Sequence, residues 1–248
     1  MGLFLNLGAI IATIAIALGV LSGTGYKLGW WELGMAFTVL RWSCYAGLAS
    51  AASAVIGLIF SKQKGVSILI LLAGLGVSGM IFNQVQTARS VPPIHDITTD
   101  TENPPVFVDV VELRGEKSNS VDYATKVGPK NPETDTSRPY AVIQAEHYPH
   151  IGPLNLEMNV EACFDLANEA AIGQKWEIVS AVKDEGRIEA TDVTFWFGFK
   201  DDVVIRVTGD DASCRVDMRS SSRVGMSDVG VNAKRIEAYL SKLEAMAS

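Results

Sequence analysis

Charged side chains are almost missing from the first third of this chain. Only five lie within residues 1–87, whereas the rest of the 248 residues holds the other 17 basic and 27 acidic groups, a net charge of about −10. Nucleic acid is bound by basic surfaces, because neutralising phosphates and releasing their counterions supplies the affinity. The acidic balance therefore argues against a nucleic-acid partner.

The residue patterns of several enzyme classes are also missing. The chain contains no nucleophile elbow, GxxxxGK phosphate-binding loop, HExxH pair or Cys-x-x-Cys. His147 and His150 are three residues apart, but Pro149 excludes a regular helix there, and no cysteine or carboxylate completes a familiar zinc spacing. We therefore predict no metal site and no cofactor.

Long apolar runs dominate the charge-poor part. Three of them, at roughly 3–22, 35–60 and 66–85, reach the length of about 20 residues that a helix needs to cross a bilayer. The first run lacks a basic segment before it and is too long for a signal peptide, so we interpret it as a retained helix. Residues 1–88 are predicted to form a three-helix transmembrane anchor, in which small residues at four-residue spacing favour close packing.

The connection between the second and third runs carries Lys62 and Lys64 within five residues. Cytoplasmic loops are enriched in lysine and arginine, so this connection is predicted to face the cytoplasm. With three spans, the soluble part then lies outside the cytoplasm. We expect a multi-pass protein of the cell inner membrane with a periplasmic domain.

The soluble part divides by composition. Residues 89–138, rich in proline, aspartate and threonine, are predicted to form an extended strap and arm. Residues 139–248 predict an α+β domain, and its short turns favour antiparallel strands. The fold class is thus three transmembrane helices followed by an antiparallel sheet domain with two helices packed on one face. Strands are predicted at 140–145, 176–182, 186–199, 203–208 and 213–219, and helices at 158–172 and from about Asp228 onward.

Arginines alternate with apolar residues near the end of the predicted sheet. Side chains two apart on a strand share a face, so Arg215, Arg219 and Arg223 are expected together. Their planar forks suit an anion, a lipid head group or an acidic partner; the alternative is a ladder of Arg–Asp pairs across strands. The candidate set for binding a ligand or partner is Arg215, Arg219, Arg223, Asp202, Asp228 and Asn232.

Two further features leave alternatives open. His95, Asp96 and Asp100 in the strap are candidate catalytic residues for acid–base chemistry or metal binding, or they cap local turns. Cys163 and Cys214 lie on a predicted helix and a predicted strand, where a disulfide would persist outside the cytoplasm if the fold brings them together.

The aromatic run at 194–199 is too apolar for a hairpin that is exposed on both faces. Packing into a core is one interpretation of this run. The other is that Trp196 or Phe199 meets the membrane surface or the transmembrane helices.

Three blocks in this order resemble the bacterial and plastid family known as domain of unknown function 1499: PPIHDITTDTENPP at 92–105, RIEATDVTFWFGFKDD at 187–202 and VDMRSSSRVGMSDVGVNAKRI at 216–236. The resemblance implies a commonly membrane-associated protein and supplies no catalytic residue. We predict a membrane-anchored binding or scaffolding module rather than an enzyme, with the lipid bilayer, other membrane proteins or anionic lipid as partners. The alternatives are a structural subunit of a larger membrane complex and a membrane-tethered hydrolase or metal-dependent enzyme using His95, Asp96 and Asp100.

Overall fold

The computed structural model describes residues 2–130 and 136–248, which fold as two compact units. The first unit comprises the chain up to Arg89 together with Thr194–Gly198, and the second comprises Ser90–Val193 and Phe199–Ser248. The part of the predicted arm at 131–135 lies outside the described residues.

Three helices make up most of the first unit: α1 (Gly2–Lys27), α2 (Leu33–Phe60) and α3 (Lys64–Ser90). All three are long and apolar enough to cross a membrane, as the three apolar runs predicted. Serine hydroxyls donate across the helices, from Ser43 to the Ala15 carbonyl (2.7 Å) and from Ser78 to the Cys44 carbonyl (3.0 Å). These small residues therefore pack the helices against one another within the unit.

An antiparallel sheet forms the frame of the second unit. Its strands are β1 (Asp96–Thr98), β2 (Leu154–Leu156), β3 (Glu177–Val182), β4 (Arg187–Val193), β5 (Lys200–Gly209) and β6 (Cys214–Ser222). The order is β1-β6-β5-β4-β3, and β2 also pairs with β6. The predicted strap thus supplies a strand of the sheet, because Asp96–Thr98 pairs with the end of β6.

Helices of the second unit are α4 (Tyr140–His147), α5 (Val160–Ile172) and α6 (Val231–Ala247), with short 3-10 helices at Asp109–Leu113 and Lys183–Glu185. Side chains from α5, α6 and the central strands share one buried core, which includes Phe164, Ile205 and Ile236. The Tyr239 hydroxyl donates to the Ala167 carbonyl (2.9 Å) and so joins α6 to α5. A disulfide between Cys163 and Cys214 joins α5 to β6.

Three local predictions were wrong. The strand predicted at 186–199 ends at Val193, and residues 194–199 form the connection between β4 and β5. Residues 140–145 form the start of α4 and not a strand, because Tyr140, Ile143 and Gln144 are buried at helical spacing and follow Pro139, which suits the entry to a helix. The final helix begins at Val231 and not near Asp228. The side chain of Asp228 instead accepts hydrogen bonds from the backbone N–H groups of Gly230 and Asn232, both at 2.8 Å, and so organises the turn that leads into α6.

Candidate functional site

The arginines of β6 lie on one face of the sheet, as their alternation predicted. Arg219 forms a bidentate pair with Asp96 of β1, from Nε to Oδ1 and from Nη2 to Oδ2, both at 2.9 Å. Arg219 is 2% exposed and Asp96 is fully buried. This planar geometry is the strongest way in which an arginine binds a carboxylate, and here both partners belong to the fold.

Arg219 also fastens the irregular chain that follows β1. Its guanidinium donates to the carbonyls of Pro105 (3.2 Å) and Val121 (2.6 Å). The same group lies over the rings of Phe107 and Tyr123, at 4.8 and 5.5 Å from their centroids. A desolvated guanidinium between aromatic rings is a favourable arrangement. Arg219 therefore holds two separate parts of this segment against the sheet.

A second cation, Lys126, completes the surroundings of Asp96. Its ammonium lies 2.5 Å from the Asp96 carboxylate and 3.4 Å from Nε2 of His95, while Nδ1 of His95 lies 2.8 Å from the Tyr140 hydroxyl. Burial, reinforced by the charge of Lys126, lowers the pKa of His95 to about 4. Because an ammonium can only donate, Nε2 of the neutral imidazole is the acceptor in the contact with Lys126.

The carboxylate of Asp96 stays ionised in this environment. Burial acts against its charge, but the hydrogen bonds and charges of Arg219 and Lys126 outweigh burial and hold the pKa of Asp96 below its usual range. One carboxylate is thus shared by two buried cations, so the cluster keeps a net positive charge.

Arg223 and Asp202 form a second closed pair farther along the same face. Arg223 donates to both oxygens of Asp202, at 2.8 Å from Nη2 and 2.9 Å from Nε. Asp202 also accepts from Arg114 (2.5 Å) and from the Thr191 hydroxyl (2.9 Å), and Arg223 reaches the Leu113 carbonyl (2.7 Å). Both predicted binding residues are therefore fully engaged within the fold.

Arg215 belongs to a third, more exposed group. It donates to Asp217 (2.9 Å) and to Asp100 (3.3 Å), and Arg206 binds the same two carboxylates at 3.0 and 3.1 Å. Arg215 is the most exposed member, with 43% of its side chain accessible. Burial opposes the charge of Asp217, but the bonds from Arg215 and Arg206 keep its pKa low.

The structure separates the three candidate catalytic residues. His95 and Asp96 lie in the Lys126 cluster, whereas Asp100 pairs with Arg206 and Arg215. Asp100 also accepts from the backbone N–H of Asn103 (2.8 Å), as expected for a turn-forming aspartate.

Asp228 and Asn232 have structural contacts of their own. Burial raises the pKa of Asp228, against the backbone hydrogen bonds that it accepts. Asn232 is fully buried, and its amide donates to the His95 carbonyl and the Ser222 hydroxyl, both at 3.0 Å, while its oxygen accepts from Ser220 (2.6 Å). Asn232 therefore ties the start of α6 to β6 and to the strap.

Sequence reasoning missed several charged residues of this face. Glu189 is fully buried and accepts from the backbone N–H groups of Val108 (2.7 Å) and Val110 (2.8 Å), and Arg187 binds the same carboxylate. The alternation of Arg187, Glu189 and Thr191 on β4 was a detectable signal. Lys126 lies in irregular chain, where no periodicity marks a position as buried.

Neither of two open surface grooves is lined by the candidate catalytic residues. One groove is lined by residues of the 150–154 segment and α6, including His150 and Glu237, and the other lies around Phe164 and Lys183. Within residues 2–130 and 136–248, no group of three or more histidine, cysteine, aspartate or glutamate side chains is arranged to hold a metal ion.

The chain has three membrane-length helices, followed by an antiparallel α+β unit whose polar face is paired internally. These features define a class of proteins in which a small globular module follows an N-terminal group of apolar helices. Within this class, the chain belongs to the family described as protein of unknown function DUF1499, whose model matches residues 96–243. The match runs from β1 into α6 and confirms the resemblance of the three sequence blocks. No curated protein matches the chain.

Proposed function

We propose that this chain is an integral membrane protein whose α+β unit lies outside the cytoplasm and binds another membrane protein as a scaffolding module. The observation that carries the proposal is the closed pairing of the polar face. Arg219 donates to both oxygens of Asp96, and Arg223 donates to both oxygens of Asp202. Arg219 and Arg223 are 2% and 7% exposed and donate within the fold, so they are not accessible to an anionic ligand, and we place binding on a different surface.

The segment fastened by Arg219 offers such a surface, which we call the arm ridge: Val106, Val108, Val111 and Leu113. These four side chains are 68%, 49%, 39% and 55% exposed. Phe107 and Val110, between them in sequence, are buried against Val204. The ridge thus projects apolar groups from a segment that is already held in place. Such preorganisation lowers the entropic cost of binding, and clustered exposed apolar groups are typical of interaction sites.

The net negative charge of residues 88–248 indicates what kind of protein surface the partner presents. With about −10 on residues 88–248, electrostatic complementarity favours a protein that surrounds an apolar patch with basic residues. Two features support a location outside the cytoplasm: the lysine pair in the second connection and the Cys163–Cys214 disulfide.

The two alternatives have less support. An enzyme using His95, Asp96 and Asp100 would need these groups together and accessible, but His95 is 8% exposed, Asp96 is fully buried and Asp100 belongs to another cluster. A structural subunit would use its small-residue helix faces against foreign helices, but Gly47 and Gly74 already meet inside the first unit. Mass determination after gentle detergent extraction would test this second alternative.

The proposal is tested by affinity purification of the tagged full-length protein from native membranes, with identification of the proteins that co-purify. The ridge variant Val108→Asp/Leu113→Asp is compared with the matched control Val142→Asp/Ile172→Asp, which places the same charges at exposed apolar sites on α4 and α5. We expect a specific partner with the parent and the control and its loss with the ridge variant. Equal thermal stability of the two variants excludes misfolding as the cause.

Recovery of the parent without any specific protein would contradict the proposal. Equal loss of the partner in the control would remove the arm ridge as its binding surface.

A further inference from the structure

The tip between β4 and β5, Thr194–Gly198, belongs to the same compact unit as α1 to α3. The Phe197 side chain is 8% exposed, and its ring centroid lies 6.3 Å from that of Tyr26 and 5.9 Å from that of Phe37. The Trp196 indole donates to the Val20 carbonyl at 3.1 Å. Two of the three tip aromatics are therefore packed against the apolar helices.

The surface of α1 is shaped for this contact. A Cβ atom on Gly23 would lie 2.6 Å from Cδ1 of Trp196 and 2.9 Å from Cδ2 of Phe197, closer than real contacts allow. Gly198 has a backbone φ of +68°, which residues other than glycine rarely adopt, and a Cβ atom there would lie 2.8 Å from the Lys27 side chain. Glycine at both positions permits the close approach of the tip to α1.

Phe195, the third tip aromatic, points away from this packing and is 93% exposed. Lys27, the last residue of α1, donates to the Phe195 carbonyl (3.1 Å), and its ammonium lies 5.7 Å from the Phe195 ring centroid. A fully exposed phenylalanine is unfavourable in water. An exposed aromatic side chain next to a lysine at the end of a membrane-length helix is typical of residues that lie at a membrane–water interface.

The position at which the tip contacts α1 also fits a membrane–water interface. Val20, the hydrogen-bond partner of Trp196, precedes Lys27 by seven residues, or about 10 Å at the rise of an α-helix. Leu28 and Trp30, just after α1, are 58% and 61% exposed and extend the apolar and aromatic surface at this end of the helix.

We propose that the tip is a lipid-inserted finger, in which Phe195 enters the boundary between head groups and acyl chains of the bilayer beside Lys27. The partner is the lipid surface itself. Trp196 and Phe197 hold the finger on α1, so Phe195 is presented to lipid without further ordering of the chain. This inference rests on the proposed membrane integration of α1 to α3.

Site-directed fluorescence on the full-length protein tests the inference. A polarity-sensitive NBD label is placed at Phe195→Cys in a Cys44→Ala background, leaving the Cys163–Cys214 disulfide intact, and the protein is reconstituted in phosphatidylcholine–phosphatidylglycerol vesicles. We expect a blue-shifted emission, quenching by nitroxide-bearing lipids and loss of quenching by aqueous iodide. Because Phe195 is almost fully exposed, its replacement removes little packing.

Two reference positions make the outcomes separable. Ala212→Cys, at an exposed residue of the turn between β5 and β6 and at the end of β5 opposite to the tip, is the aqueous reference. Leu72→Cys, at a 63% exposed residue of α3, is the lipid reference. If position 72 fails to respond to nitroxide lipids, membrane integration itself is wrong. If position 72 responds but position 195 is quenched by iodide as position 212 is, the finger is overturned. Protection of position 195 from both quenchers would mean that protein covers it, which also overturns lipid insertion.

Discussion

Arg219 and Arg215 lie on the same face of β6, four residues apart, but in opposite solvent environments. The Arg219 side chain is 3% exposed and pairs with a fully buried carboxylate, whereas that of Arg215 is 43% exposed. Removing one partner of a buried pair leaves an uncompensated charge, which costs far more than the loss of a surface pair. The same residue type therefore has two different energetic roles on one strand.

Substitution of the buried arginine tests this difference. Arg219→Met is expected to lower the free energy of unfolding by about 3–5 kcal/mol, because Asp96 loses one of its two counter-charges and the Pro105 and Val121 carbonyls lose their donor. The control Arg215→Met is expected to cost at most about 1 kcal/mol. Urea unfolding of the full-length protein in detergent measures both, and equal costs would contradict the buried clamp.

His95 predicts a pH dependence of stability. Its pKa is about 4 in the folded chain, below the ordinary value of 6.5, so the unfolded chain binds the extra proton between these values. Stability is therefore full above about pH 6.5 and declines as the pH falls toward 4, by about 2–3 kcal/mol for this residue.

The measurement is the unfolding midpoint temperature of the full-length protein between pH 7.5 and 4.5. His95→Gln, which keeps a polar side chain but cannot titrate, is expected to flatten the decline relative to the parent protein. Asp228 has a raised pKa and contributes with the opposite sign in both proteins, so it cancels in the comparison. An unchanged slope in the variant would show that other groups cause the decline.

At the scale of elements, the irregular chain from Pro105 to Val121 is held in place by side chains of the sheet. Glu189 caps the 3-10 helix at Asp109–Leu113 by accepting from two backbone N–H groups, and Arg219 holds the chain on either side of that helix. A segment of this kind depends on the sheet beneath it. The polar face of the sheet holds this segment in place. The segment in turn covers Arg219 and so buries it.

The disulfide joins α5 to β6 across 51 residues of chain. Closing a loop of this length in the unfolded chain corresponds to a stabilisation of about 4 kcal/mol in the chain-entropy description. We expect Cys163→Ala/Cys214→Ala to unfold at lower denaturant concentration by a corresponding amount, measured by urea titration. Cys44→Ala is the matched control and should leave the midpoint unchanged. Parent protein that shows the same midpoint with and without a strong reductant would contradict the prediction.

At the scale of the whole molecule, the proposed membrane integration of α1 to α3 would place the start of α1 and the end of α3 on opposite sides of a bilayer, because three spans are an odd number of crossings. Fusions expressed in a bacterial host test the proposed orientation. Alkaline phosphatase fused after Ser248 should be active, because it folds outside the cytoplasm, whereas the same enzyme fused after Lys64 should be inactive. Green fluorescent protein at these two positions should give the reciprocal pattern. Active phosphatase only at Lys64 would reverse the orientation.

The local sequence pattern was sufficient to predict those elements in which buried residues recur at a regular spacing. Uninterrupted apolar runs predicted α1 to α3, and alternation on β5 and β6 predicted which arginines share a face, because periodicity in sequence maps directly onto one side of a helix or strand. Tyr140–His147 was misassigned because a short apolar run fits either period, and only its contacts decide between them.

The sequence by itself determined the division into a charge-poor helical part and an acidic α+β part, together with the polar face of β6. Only the tertiary structure decided which groups meet: Asp96 with Arg219, Cys163 with Cys214, and Trp196 with α1. These contacts join residues far apart in the chain. Their pairing depends on which strands become neighbours and which surfaces lose water, and neither is encoded in the spacing of nearby residues.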